Sequence, residues 1–190
     1  MRIIAGEYGG RVLKTAEGPG YRPAMSRVRE ALFSMLESRG VVWPGLRVLD
    51  LFAGSGSLAF EALSRGAAEA WFVETAPKAA ELIRKNAQTL GIAQERWQVL
   101  QEDCNKLLAR RARTSFDVVF IDPPYGEGQL SPTMRNAVRN GWLADGAIVA
   151  VEVEARLPLD PDRENAALEP IVDRTYGQTR IVLWTTRENG

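Results

Sequence analysis

The 190-residue sequence has no histidine and a single cysteine, Cys104. Without histidine, serine-histidine-aspartate catalysis and zinc-histidine chemistry are excluded, and no metal site is expected. One cysteine excludes an intrachain disulfide framework. No uninterrupted apolar run approaches the roughly 20 residues needed to cross a bilayer, and the opening Met1-Arg2-Ile3-Ile4-Ala5-Gly6 lacks the long apolar stretch of a signal peptide. A cytoplasmic protein without a membrane partner is therefore expected. Net charge is also lacking, with 24 basic against 24 acidic residues, so bulk electrostatics alone would not draw the chain to nucleic acid.

A 45% apolar and 25% charged composition fits one globular domain with room for a small appendage. The charge is unevenly spread. Through residue 29 the basic groups are Arg2, Arg11, Lys14, Arg22, Arg27 and Arg29 against Glu7 and Glu17, a surplus of four that leaves the remainder at −4. One end of the molecule is thus suited to an anionic partner.

Two short strand-like runs, Arg2 to Ala5 and Arg11 to Lys14, flank Gly6 and the Gly9-Gly10 pair, which predicts a small hairpin. The cluster Gly18-Pro19-Gly20-Tyr21-Arg22-Pro23 breaks the chain before a helix that Ser26 can cap and Gly40 can stop, with Val28, Leu32, Met35 and Leu36 on one face. This extension is assigned to residues 1–40. From Leu46 onward, apolar strands alternate with helices through residue 190, which indicates an α/β domain with a mainly parallel sheet covered on both faces. The expected strands are Leu46 to Phe52, Ala70 to Glu74, Trp97 to Gln101, Asp117 to Ile121 and Ala147 to Glu152. The expected helices are Leu58 to Arg65 and Pro77 to Leu90, with weaker ones after Asp103 and Ser131. Ala79, Ile83, Ala87 and Leu90 form the predicted core stripe of the second helix. Pro158 and Pro161 interrupt regular structure, after which Ala167 to Tyr176 and Gln178 to Thr186, joined at Gly177, predict a closing antiparallel hairpin.

The first strand of the domain runs into Asp50-Leu51-Phe52-Ala53-Gly54-Ser55-Gly56, a strand, a glycine turn and a helix start, the arrangement of a nucleotide-type cofactor site. Gly54 and Gly56 let backbone approach a ligand, and Phe52 lies within the same turn. Glu74, 20 residues after Gly54, is positioned to accept ribose hydroxyls. Asp50 would repel the pyrophosphate of a dinucleotide but attract the cationic sulfonium and ammonium of S-adenosylmethionine, and so favours the methyl donor. Asp103, after the third strand, can accept from an adenine amine or cap the following helix. Cys104 beside it is a packing residue rather than a reactive thiol, since no histidine can activate it.

Asp122-Pro123-Pro124-Tyr125 follows the fourth strand. Two prolines stiffen the backbone and remove N–H donors, fixing the direction of the Asp122 carboxylate and the Pro123 carbonyl. The segment therefore presents acceptors to a donor amine, and Tyr125 offers a face on which a base can stack. Asp122, Pro123 and Tyr125 are the candidate catalytic residues.

At these residues the sequence resembles the S-adenosylmethionine-dependent methyltransferases of exocyclic amines that carry an Asp/Asn-Pro-Pro-Tyr motif. With Arg2-Ile3-Ile4-Ala5-Gly6, Arg22-Pro23, Arg27-Val28-Arg29-Glu30-Ala31-Leu32-Phe33, the glycine turn and Glu61-Ala62-Leu63-Ser64-Arg65-Gly66-Ala67, nearly the whole chain is similar to the bacterial 16S ribosomal RNA guanine-N2 methyltransferase family. Where that family usually has a polar run such as Thr-Thr-Asp after Arg-Pro, this chain has Ala24-Met25-Ser26. The resemblance implies a Rossmann-like, seven-stranded methyltransferase fold and a monomer acting on 16S rRNA, within the small ribosomal subunit or an assembly intermediate. It further implies a guanine swung out of its stack, with Asp122 and the Pro123 carbonyl each accepting one hydrogen of its amine. Arg11, Lys14, Arg27 and Arg29 become candidates for RNA phosphate contact, and Arg22 for either RNA or cofactor. Three other readings stand beside this one. They are the same chemistry on adenine N6 or another amine, a dinucleotide oxidoreductase supported by the glycines and Glu74, and a binding module that retains the cofactor without turnover.

Overall fold

The computed structural model describes residues 1–15, 23–124 and 128–187. Seven strands form one sheet: β1 (Arg47–Leu51), β2 (Glu69–Val73), β3 (Trp97–Leu100), β4 (Phe116–Ile121), β5 (Leu143–Glu154), β6 (Leu168–Tyr176) and β7 (Thr179–Thr186). Their order is β3-β2-β1-β4-β5-β7-β6. The β1–β2, β1–β4, β2–β3 and β4–β5 pairs are parallel, whereas β7 pairs antiparallel with both β5 and β6. The closing hairpin therefore inserts its second strand against β5. The chain reverses direction between β1, which leads outward to β3, and β4, so the crevice beyond the carboxyl ends of β1 and β4 is the natural ligand position of such a sheet.

Because the central strands are buried on both faces, they read as continuous apolar runs, and alternate residues feed two hydrophobic clusters. On one face Val48, Phe72, Phe120, Ile148 and Ile181 pack beneath α1 (Pro23–Ser38), α2 (Ser57–Ser64) and α3 (Pro77–Leu90). On the other, Leu49, Leu51, Val119, Ile121 and Val151 pack against α4 (Cys104–Leu108) and α5 (Leu130–Arg139), with Trp142 and Trp184 closing the edge. No helix among the described residues is long and apolar enough to cross a membrane.

Several expectations are corrected in detail. Helix α1 begins at Pro23 rather than after Ser26, since proline at a first helical turn loses no hydrogen bond. Its buried stripe contains Phe33, while Met35 is half-buried. In α3 it is Ala80, not Ala79, that is buried, and Asn86 joins the stripe by exchanging two hydrogen bonds with the backbone of Lys14. Strand β5 starts four residues early because Leu143 pairs with Phe116 before a register shift. Pro161 does not break the chain but opens a one-turn helix, α6 (Pro161–Glu164), capped by the Asp160 carboxylate.

The N-terminal hairpin forms around an Arg2–Val12 bridge and shares the main core through Ile3, Tyr8 and Leu13. It is clamped to α2 by two polar side chains. Glu61, fully buried, accepts the Ile4 and Ala5 amides at 2.7 and 3.0 Å, and Ser64 Oγ accepts the Tyr8 amide. Arg65 completes the arrangement, pairing with Glu61 and with Glu37 of α1 while its guanidinium lies 4.8 Å above the Phe33 ring. Two backbone donors and a guanidinium thus depend on one buried carboxylate. Glu61→Ala is expected to lower unfolding free energy in urea by about 3 kcal/mol, as expected for breaking a buried ion pair from one side; a loss under about 0.5 kcal/mol, the size of an ordinary surface change, would show that the clamp does not hold the hairpin.

Candidate active site

The glycine turn lies where β1 ends and α2 begins. Phe52, Gly54 and Gly56 all have positive φ, at 62, 54 and 76°. For Phe52 this is a strained conformation, held by the Ala53 amide donating to Val73 O and the Gly56 amide to Ala53 O. The two glycines serve different ends. A Cβ at Gly56 would lie 2.8 Å from Phe72 and 2.9 Å from Phe60, so this position lets α2 close onto β2. A Cβ at Gly54 would meet only the Phe52 carbonyl, at 3.9 Å, and otherwise open space. Backbone at Gly54 therefore borders room for a ligand.

Carboxylates converge at this edge. Glu74, at the end of β2, accepts the Gly54 amide with Oε2 at 2.8 Å and the Ala76 amide with Oε1 at 2.7 Å. Asp50 is only 2% exposed and accepts the Ala59 amide at 3.2 Å. Burial, with the charges of Asp122 and Glu74, pushes its carboxyl well above the usual range. The expectation that Asp50 faces the cofactor from the mouth of the turn is thereby corrected. It lies beneath the turn and fixes the first turn of α2, so Glu74 supplies the carboxylate at the rim. Asp103 caps α4 by accepting the Lys106 amide at 2.9 Å. The capping reading holds, and a carboxylate with two oxygens can also serve a ligand. Cys104 is buried and its thiol is pushed up to about 12, chiefly by burial, which suits packing and not reactivity.

Asp122 follows β4, with Pro123 buried and Pro124 exposed. Its carboxyl is raised to about 7 by desolvation and by the negative charge of Glu152 on β5. Sequence reasoning assigned no role to Glu152; the available signal was a lone acidic residue inside the apolar run Ala147 to Val153. Arg22 and Tyr125 lie outside the described residues. Arg11, Lys14 and Arg27 are exposed, and Arg11 also donates to Thr89 O on α3. Arg29 is a correction. It is 4% exposed and donates to Arg2 O at 2.5 Å, so it braces the hairpin and cannot reach an RNA phosphate in this conformation.

The donor set decides the kind of cofactor that fits. In a dinucleotide site, loop amides and the helix start meet a pyrophosphate. Here the Gly54 amide is committed to Glu74, and Glu74, Asp103 and Asp122 follow the carboxyl ends of β2, β3 and β4 as acceptors around the crevice. Such a site suits a cationic, phosphate-free ligand with hydroxyl and amine donors, and S-adenosylmethionine has those properties.

Fold and site together define a Rossmann-like, S-adenosylmethionine-dependent methyltransferase. The solved structure of YhhF from Escherichia coli superposes with a TM-score of 0.84 at 35% identity, over 98% of each chain. Over 163 residues the chain is 41% identical to Ribosomal RNA small subunit methyltransferase D of Escherichia coli, covering 85% of this chain and 79% of that one. The namesake in Haemophilus influenzae is 38% identical over 84% of this chain and 81% of its own length. The family model described as Conserved hypothetical protein 95 matches residues 1–185, and the chain belongs to that family, of the small-subunit rRNA methyltransferase D type.

The glycine geometry yields a graded expectation. Gly56→Ala is expected to destabilise more than Gly54→Ala in urea unfolding, since both meet left-handed strain of roughly 1–2 kcal/mol and only Gly56 adds the phenylalanine clash. Gly54→Ala should still weaken S-adenosylmethionine binding in calorimetry. Equal stabilities with unchanged binding would contradict the assignment of Gly54 to the ligand and Gly56 to packing.

Proposed function

We propose that this chain transfers a methyl group from S-adenosylmethionine to the exocyclic N2 amine of a guanine in 16S rRNA. Its setting is the small ribosomal subunit or an assembly intermediate, in the cytoplasm, with the enzyme acting as a monomer. One observation carries this reading: Asp122 ends its strand at the cofactor edge, followed by two prolines that contribute acceptors and no donors. The similarity to proteins named for methylation of small-subunit rRNA supports the substrate class.

An exocyclic amine is a poor nucleophile because its lone pair is delocalised into the ring. When bound, the cofactor supplies a methyl group activated by a sulfonium and retains the C–S bonding pair. Asp122 and the Pro123 carbonyl each accept one amine hydrogen, which lets the nitrogen pyramidalise and aims its lone pair outward from the base plane. The Asp122 carboxylate also offsets the positive charge that develops on nitrogen, and then takes the proton. Tyr125 is assigned to stacking on the base. Glu74 and Asp103 are assigned to the cofactor's ribose and adenine, with Phe52, Gly54 and Gly56 shaping its bed and Cys104 and Asp50 supporting that bed from beneath. Arg22 is assigned to the cofactor edge or to RNA.

The exposed Arg11, Lys14 and Arg27 are assigned to phosphate contact, which positions RNA without reading its sequence. Arg11 and Lys14 are held at the last turns of α3, where the Arg11 guanidinium donates to Thr89 O and the Lys14 amide to Asn86 Oδ1. A dinucleotide reading is disfavoured by the carboxylates already described, and the proline segment would have no part in it.

Asp122→Asn is expected to keep S-adenosylmethionine affinity within about threefold in calorimetry while lowering methyl transfer to unmodified small subunits by at least about 100-fold, the usual weight of a proton-accepting group. A variant that binds the cofactor and transfers methyl at the original rate would overturn the role of Asp122. The labelled nucleotide, mapped in the wild-type reaction, identifies the base.

A further inference from the structure

The sheet register places a second carboxylate next to Asp122. Strands β4 and β5 run parallel with Ile121 opposite Val151, so the following residues, Asp122 and Glu152, are neighbours across the pair. Adjacent strands lie about 5 Å apart. Alternation puts both side chains on the same face. Ile148 and Ala150 of β5 belong to the cluster beneath α1, whereas Val149, Val151 and Val153 belong to the opposite one. Glu152 therefore points toward α1, where Arg29 is buried with its guanidinium bound to Arg2 O. Across β5, the residue paired with Glu152 is the fully buried, apolar Ile181 of β7. Among the described residues, the charged groups acting here are Arg29 from α1, Asp50 from β1, and the two carboxylates themselves.

We propose that Glu152 is a positioning residue for methyl transfer, acting through Asp122 as the second member of a carboxylate pair that receives the amine proton. The inference rests on the assignment of Asp122 as proton acceptor. Two carboxylates this close cannot both ionise at ordinary cost, and they titrate as a unit. Burial raises the Glu152 carboxyl, and the Arg29 guanidinium opposes that rise by favouring its charged form. The negative charge of Glu152 adds to burial in making Asp122 more basic. Proton accounting is simple. The N–H bonding pair stays on the methylated nitrogen, an O–H bond forms on Asp122, the pair passes from two negative charges to one, and the proton leaves later to solvent. Without Glu152, Asp122 would keep the rise that burial gives it and lose the further rise that the neighbouring negative charge adds.

The test uses the full-length chain without cofactor, with carbon-13 labels on its side-chain carboxyls, followed by NMR titration. In the wild type, Asp122 and Glu152 should show two-step curves that mirror each other. Independent one-step curves would overturn the pairing, and this requires no variant to fold. In Glu152→Gln the Asp122 midpoint should fall by about one pH unit or more, the size of a close like-charge effect, while Glu152→Asp should stay near wild type. The acidic limb of kcat should move down by the same interval in Glu152→Gln with KM within twofold. An unmoved Asp122 midpoint would sink the proposal. If the midpoint moves but Asp122→Asn retains full activity, the pairing stands and the methyl-transfer role of Asp122 fails instead.

Discussion

A carboxylate removed from water at the end of a strand is costly unless a donor meets it or a proton neutralises it. The carboxyl edge of this sheet depends on how that cost is met at successive strands. Glu74 is satisfied by backbone amides of the turn and of α3's approach. Asp50 accepts one amide from the first turn of α2, and burial still raises its proton affinity well above the usual range. Asp122, beside Glu152, is left with a raised proton affinity. Glu74 shapes the rim of a bed suited to a cationic ligand, Asp50 supports it from beneath, and Asp122 takes up a proton near neutral pH.

The N-terminal hairpin is tied into that arrangement more closely than a basic arm would need to be. Glu61 and Ser64 of α2 hold its backbone, Asn86 of α3 holds Lys14, and Arg29 of α1 reaches Arg2. The same α2 helix begins at the glycine turn. Positions that bear the exposed Arg11 and Lys14 are therefore tied through α2 and α3 to the elements that carry the glycine turn.

Much of this was legible in the sequence because its signals are local or periodic. Strands β1 to β4 are near-continuous apolar runs, and α3 opens on proline and ends at Gly91, so their limits lie within a residue of those expected. The antiparallel end of the sheet followed from a tight turn at Gly177. What the sequence concealed was tertiary. The fifth strand reads as starting at Ala147, yet β5 begins at Leu143, because that residue pairs with Phe116 ahead of a register shift. Arg29 reads as a surface cation from its basic neighbours, yet the helix phase buries it. Asp50 reads as a ligand-facing carboxylate, yet only the placement of α2 above it shows that it is covered. Glu152 gains meaning only from the register that sets it beside Asp122.

The most direct measurement is a crystal structure of the chain with a non-reactive S-adenosylmethionine analogue and an RNA fragment bearing the unmodified target guanine. The account predicts the guanine N2 within hydrogen-bond reach of Asp122 and the Pro123 carbonyl, with its lone pair facing the analogue's sulfur-borne carbon. An Asp122 side chain directed away from that nitrogen, or a phosphate group seated on the Gly54 turn, would contradict it.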